Sequence, residues 1–170
     1  MKGARAALAL LVAGSGACST LKVETQFDPN APFASYRTYA WLATEPGAQD
    51  PAPLRIPAVR KMVITAVDRE LAAKGMVRTI PDSNPDFLVS VMGAAQSRIE
   101  ITTYGYPYFY PVADVSQYTE GTLVVHFVDA KSRQLFWRGI ASDTVASETE
   151  VQGKIDTAVH EMLAAYPPKK

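Results

Sequence analysis

Thr122 to Val128 reads as a strand with protein on both sides of it. Leu123, Val125 and Phe127 alternate onto one face, and Val124, His126 and Val128 onto the other. Both faces are mostly apolar, as expected of a strand in the middle of a sheet. A short polar stretch, Asp129 to Gln134, separates it from a second strand-like run that starts at Leu135 and reaches Ala141 or Val145. So short a connection makes a hairpin, because parallel neighbours need a crossover of a dozen or more residues. An antiparallel sheet is therefore the frame that the rest of the chain must fit.

Three further segments suit that frame. Leu21, Val23 and Thr25 alternate with Lys22, Glu24 and Gln26, the pattern of a half-buried strand. Phe33 to Trp41 is rich in aromatics and suits a short second strand ending in Tyr39-Ala40-Trp41. Phe87 to Val91 starts another strand that continues toward Ile101. Pro46, Pro51, Pro53 and Pro57 fall in an irregular connection, and Pro57 suits the first turn of a helix. Val59, Met62, Val63, Ala66, Val67 and Leu71 then recur at helical spacing. Lys74-Gly75 is a helix stop. Val151, Ile155, Ala158, Val159, Met162 and Leu163 form a second stripe, which Pro167-Pro168 ends. Ser147 and Glu150 have the spacing of a capping box at its start. The expected fold is α+β: a two-layer sandwich, a mainly antiparallel sheet with both helices packed on one face.

The first eighteen residues speak of compartment. Lys2 and Arg5 precede an apolar run from Ala6 to Ala13, then Gly14-Ser15-Gly16-Ala17 and the only cysteine, Cys18. This is the layout of a secretory signal peptide over residues 1–17. The apolar run is too short to span a bilayer, which takes about 20 residues. Small residues before a lone cysteine resemble a bacterial lipobox, in which the thiol is acylated and becomes the new N-terminus. Ser15 stands where that pattern usually has leucine. Cleavage without acylation is the competing reading; it would leave one unpaired, oxidisable thiol. Acylation is favoured, with residues 18–170 as a single lipid-anchored domain. Ser19 follows the cysteine in place of aspartate. By resemblance to the sorting rule of Gram-negative lipoproteins, this implies the outer membrane, with the domain facing the periplasm.

The 17 basic residues balance 17 acidic ones, and a cleaved signal removes two bases and no acid. No basic excess is left to neutralise phosphates, which excludes nucleic acid as an expected partner. With its one cysteine committed to lipid, the domain has no internal disulfide and must rely on its core.

Several segments together look like one family. They are Phe33-Ala34-Ser35-Tyr36-Arg37-Thr38-Tyr39-Ala40-Trp41, Pro85-Asp86-Phe87-Leu88-Val89, Tyr118-Thr119-Glu120-Gly121-Thr122-Leu123, Val128-Asp129-Ala130-Lys131 and Leu135-Phe136-Trp137-Arg138-Gly139. In order and spacing they resemble the bacterial lipoprotein family catalogued as domain of unknown function 4136. The resemblance implies an envelope lipoprotein with an α+β domain. It implies no activity.

Candidate chemistry is sparse. His160 sits beside Glu161, but no histidine follows four residues later, as the helical zinc motif requires. His126 with one distant partner does not supply three metal ligands. A hydrogen-bonded strand histidine and a surface helix histidine are the expected roles. No nucleophile elbow or phosphate-binding loop is present. Asp86, Glu120 and Asp129 lie at expected strand ends, where acids serve turns. Alternation sends Trp137 to the core and Arg138 to the opposite face. No catalytic residue, metal ligand or cofactor is expected.

The remaining candidate is the segment that carries Tyr104, Tyr106, Tyr108, Phe109 and Tyr110, within an expected aromatic loop over 102–118. Tyrosine joins a large contact area to a polar tip at small entropic cost. Gly105, Pro107 and Pro111 oppose a regular interior strand there. Contact with a glycan, an envelope protein or lipid headgroups competes with packing of the rings back on the domain. The expected function is a non-catalytic binding or scaffolding module of the envelope, joined to the membrane through its lipid. A periplasmic hydrolase with an unrecognised carboxylate site is the alternative, and an assembly subunit pairing through a sheet edge is a third reading.

Overall fold

The computed structural model describes residues 20–42, 54, 56–104 and 112–168, with the side chains of 98–104 and 112–118 left aside. Cys18 and Tyr106, Tyr108, Phe109 and Tyr110 lie outside the described residues, and only the backbone of Tyr104 is described.

Strands β1 (Lys22–Phe27), β2 (Thr38–Trp41), β3 (Val77–Arg78), β4 (Phe87–Tyr104), β5 (Val112–Asp129) and β6 (Leu135–Val145) form one sheet. Helix α1 (Pro57–Ala73) lies between β2 and β3, and α2 (Val151–Ala164) follows β6. The strand order is β1-β6-β5-β4-β2-β3. The expected α+β fold, a mainly antiparallel sheet with two helices, is what the chain adopts.

The hairpin forms as the polar connection requires. Asp129 accepts the amides of Lys131 and Ser132 at 3.0 and 2.7 Å, and Arg133 takes a positive φ of 60°. Beside it, Val128 pairs with Leu135 and Phe127 with Trp137, so β6 carries an extra residue. The bulge breaks the alternation and lets Phe136 and Trp137, consecutive in sequence, both be buried. In α1 the stripe points inward as its spacing requires, with Val63, Ala66, Val67 and Leu71 buried. Gly75, at φ 78°, makes the left-handed turn after the helix, a conformation that L side chains rarely adopt.

Some expectations change. Phe33–Ser35 is a turn of 3-10 helix, and strand begins only at Thr38. β2 runs parallel to both β3 and β4, because α1 supplies a crossover long enough to permit it. The capping box does not close: the Ser147 hydroxyl pairs with Thr149 at 2.9 Å, and the Glu150 carboxylate accepts the Ala146 amide at 3.4 Å. A 3-10 turn over Glu148–Glu150 starts the helix instead. Of the expected aromatic loop over 102–118, residues 102–104 and 112–118 are strand, and 105–111 lie outside the described residues. β4 and β5 pair from Phe87↔Asp129 to Tyr104↔Val112, and β6 stops at Val145, opposite Thr119. Beyond that point the two strands pair only with each other among the described residues, as a ribbon.

The core fills the space between sheet and helices. Trp137 and Phe127, expected inside, are fully buried and stack with centroids 4.6 Å apart. Phe87, Phe136 and Tyr166 complete the cluster around them. The helices are tied to each other by Arg69–Asp156 at 3.0 Å and by His160–Glu70 at 3.1 Å.

Candidate functional site

Above the aromatic cluster the sheet changes character. On the helix-facing side β4 presents Gly93 and Ala95, β5 presents Gly121, and β6 presents Ala141. The strand register places Ala95 beside Gly121, and sets Gly93 and Ala141 on either side of Leu123. The helices bring Ile56, Val59 and Val63 from the α1 end and Val151, Ile155 and Ala158 from the α2 end. Small residues below and aliphatic side chains on both flanks leave a cavity of about 590 Å³ that opens to solvent.

Leu54 hangs over one end. A Cβ built on Gly93 would sit 3.2 Å from its Cγ, so the missing side chain lets Leu54 approach the strand. Gly121 is different: a Cβ there would meet only ordinary contacts, at 3.9 and 4.0 Å.

Polar groups gather at the rim. The Asp143 carboxylate pairs with Lys154 Nζ at 2.8 Å, takes the Thr144 amide at 2.8 Å and accepts the Thr20 hydroxyl. Burial opposes ionisation of Asp143, but the hydrogen bonds from Lys154, Thr20 and the Thr144 amide outweigh it and hold the carboxyl below its ordinary 3.8. Thr20 lies 3.1 Å from the Thr144 hydroxyl, and Leu21 lines the cavity. The chain thus enters the sheet at the mouth.

The acids singled out in sequence lie elsewhere. Asp86 accepts the amides of Arg37 and Thr38, both at 2.8 Å, and the Thr38 hydroxyl at 3.0 Å. Burial works against its charge, but those donors prevail and keep it below 3.8. Asp129 is held down by the Ser132 amide first, and its other oxygen takes the Tyr36 hydroxyl at 2.9 Å. Both carboxylates are engaged in fixing turns. Glu120 sits in β5 opposite Gln96 and Thr144, not at a strand end as expected.

His126 lies between Ser90 and Arg138 on the sheet face opposite the core, where Met92 is 44% exposed. It is not the hydrogen-bonded histidine expected: its Nε2 is buried with no partner among the described residues. Burial first, and the Arg138 charge second, push its pKa below 6.5. His160 is exposed, as expected of a surface helix histidine, and its partner is Glu70 of α1. Among the described residues no three His, Cys, Asp or Glu side chains gather as a metal ion would need.

Sequence reasoning left two features unassigned. Asp68 lies outside the apolar stripe of α1. It accepts the Tyr39 hydroxyl at 2.8 Å, Trp41 Nε1 at 2.9 Å and Arg78 at 2.6 Å, which locks α1 to β2 and β3. The cavity was missed altogether. Its one local signal is glycine inside strand patterns, at Gly93 and Gly121.

The model of the family described as "Domain of unknown function (DUF4136)" matches residues 23–168. The chain belongs to the DUF4136 family. A DUF4136 protein from Bacteroides thetaiotaomicron is similar at a TM-score of 0.55 and 14% identity, over 87% of this chain and 96% of that one. A PDZ domain protein from Parabacteroides distasonis gives 0.61 at 13% identity over 89% of this chain; the DUF4136 chain spans only 38% of that protein. The PelC dodecamer from Paraburkholderia phytofirmans gives 0.50 at 11% identity, over 88% and 99% of the two chains. At such identities the likeness is one of fold. No curated protein matches the chain.

Proposed function

We propose that this DUF4136 chain is a lipid-anchored, non-catalytic binding domain of the bacterial envelope, attached to the outer membrane through Cys18 and facing the periplasm. The observation that carries the binding half is the character of its cavity. It is lined by aliphatic side chains, and its rim carboxylate Asp143 is already neutralised by Lys154. A hydrolytic site wants a cleft with a carboxylate of raised pKa. Asp86, Asp129 and Asp143 are all held below their ordinary value by donors that occupy them.

The anchor rests on the signal-like segment before Cys18. Acyl chains gain about 0.8 kcal/mol per buried methylene, so a multiply acylated terminus holds firmly to a bilayer. The tyrosine-bearing segment that joins β4 to β5 is the proposed contact with a glycan or an envelope protein.

Metabolic labelling with a fatty acid, followed by membrane fractionation, tests the anchor. The wild-type chain should take the label and sediment with outer membranes, and Cys18→Ser should lose both properties. An unlabelled wild-type chain would overturn the proposal.

A further inference from the structure

We propose that the cavity between α1, α2 and the small-residue end of the sheet receives one acyl chain of the protein's own Cys18 anchor. This rests on the lipidation proposed above and goes beyond it, by giving one of the anchor's chains a protein site.

The lining selects the ligand chemistry. Val59, Val63, Val151 and Ile155 offer branched aliphatic surface, and Gly121 and Ala141 leave room beneath it. A peptide placed against these residues would find few partners for its backbone groups, because none of them carries a polar side chain. An unbranched alkyl chain brings no such groups. At about 590 Å³ the cavity lies within the range of ordinary ligand sites.

The path of the chain selects the source. Thr20 bonds to Asp143 at the rim and Leu21 is part of the wall, so β1 starts at the mouth and runs away from it. Cys18 is two residues before Thr20, and two residues span at most about 7 Å. A lipid on that sulfur therefore starts beside the opening. Its ester and amide groups would meet Lys154, Asp143 and Thr144, while an alkyl tail continues inward. Tethering over so short a span gives that tail an effective concentration on the order of millimolar, an advantage over a free lipid of equal chemistry. With one chain housed in the protein, the domain would be held against the leaflet by the anchor itself.

The test uses the full chain in its native membranes. Cells are fed a fatty acid that carries a photoreactive diazirine, irradiated, and the cross-links mapped by mass spectrometry. The expected result is an intramolecular link from the Cys18 lipid to the cavity walls, in the peptides around Val59 or Ile155. Gly121→Ile, which fills the cavity floor where a side chain has space, should abolish that link while Cys18 remains labelled. The wild-type map decides the matter even if that variant folds poorly. A labelled Cys18 whose links reach only bilayer lipids or other proteins overturns the inference and leaves the anchor standing. Labelled cavity peptides in Cys18→Ser would show a bilayer lipid as the occupant and also overturn it. An unlabelled wild-type chain removes the anchor and the inference together.

Discussion

The two ends of the space between sheet and helices are built in opposite ways. At the hairpin end the strands present Phe87, Phe127 and Trp137, and Tyr166 closes over them beyond α2. About 20 Å further along β4 the same face presents Gly93, with Ala95 and Gly121 one step on and Ala141 across Leu123 from it. The helices meet large rings at one end and, around Leu123, mostly small residues at the other. The first end is packed solid, and the second keeps a cavity of about 590 Å³. Dense packing and open space are thus divided along the length of the same strands. A core that fixes the fold can be full, whereas a site has to give up some packing to stay open.

The sharpest way to break this division is to hollow out the full end. Trp137 is wholly buried, stacked on Phe127 and edge-on to Tyr166. Trp137→Ala should cost about 3–5 kcal/mol, measured by denaturant unfolding. A loss below about 1 kcal/mol would mean that the aromatic end does not carry the fold.

Overfilling the same end comes next. A Cβ on Gly139 would lie 2.6 Å from the far edge of the Trp137 ring and 3.1 Å from the Met162 sulfur. Gly139→Ala should destabilise by about 1–3 kcal/mol in the same assay, because neither the ring nor the helix has room to retreat.

Acid should loosen both ends by a smaller amount. Burial keeps folded His126 below 6.5, so just beneath that pH the folded protein binds fewer protons than the unfolded chain. The contribution of His126 is complete above pH 6.5 and falls away as pH drops through its folded value. Asp86 and Asp129 at the aromatic end and Asp143 at the cavity rim follow the same sign from 3.8 downward. Unfolding midpoints measured against pH should therefore decline in two stages, and His126→Phe should flatten the upper one. A midpoint that rises between pH 6.5 and 5 would contradict the assigned environment of His126.

The full end was largely legible in the sequence. Phe127 and Trp137 lie in two apolar strand runs joined by a short polar connection, and the helix stripes repeat at their period, so local pattern and burial agree. Phe136 was not legible, because a bulge turns it inward against the alternation. The parallel edge was hidden by a two-residue strand, Val77–Arg78, too short to carry a period. The role of Asp68 was not legible, because its partners Tyr39, Trp41 and Arg78 are brought to it only by the fold. The cavity was illegible for the same reason. Gly93, Gly121 and Ala141 lie on separate strands, and each alone reads as a weak spot. Only the register gathers them around Leu123 on one face.

The gentlest test separates the two kinds of glycine. A Cβ on Gly121 would find its nearest neighbours at 3.9 and 4.0 Å, in ordinary contact, and its backbone is not in the left-handed region. Gly121→Ala should therefore be neutral or gain about 0.4–1 kcal/mol, chiefly by restricting the unfolded chain. Gly93→Ala must displace Leu54, whose Cγ would be only 3.2 Å away, so it should fall short of that gain. Leu54 itself forms part of the cavity lining, and moving it should alter the opening more than the stability. Thermal unfolding of the two variants beside wild type reads the difference. If Gly121→Ala proved as damaging as Gly139→Ala, the small-residue end would be as tightly packed as the aromatic end. The division between a filled core and an open site would then be lost.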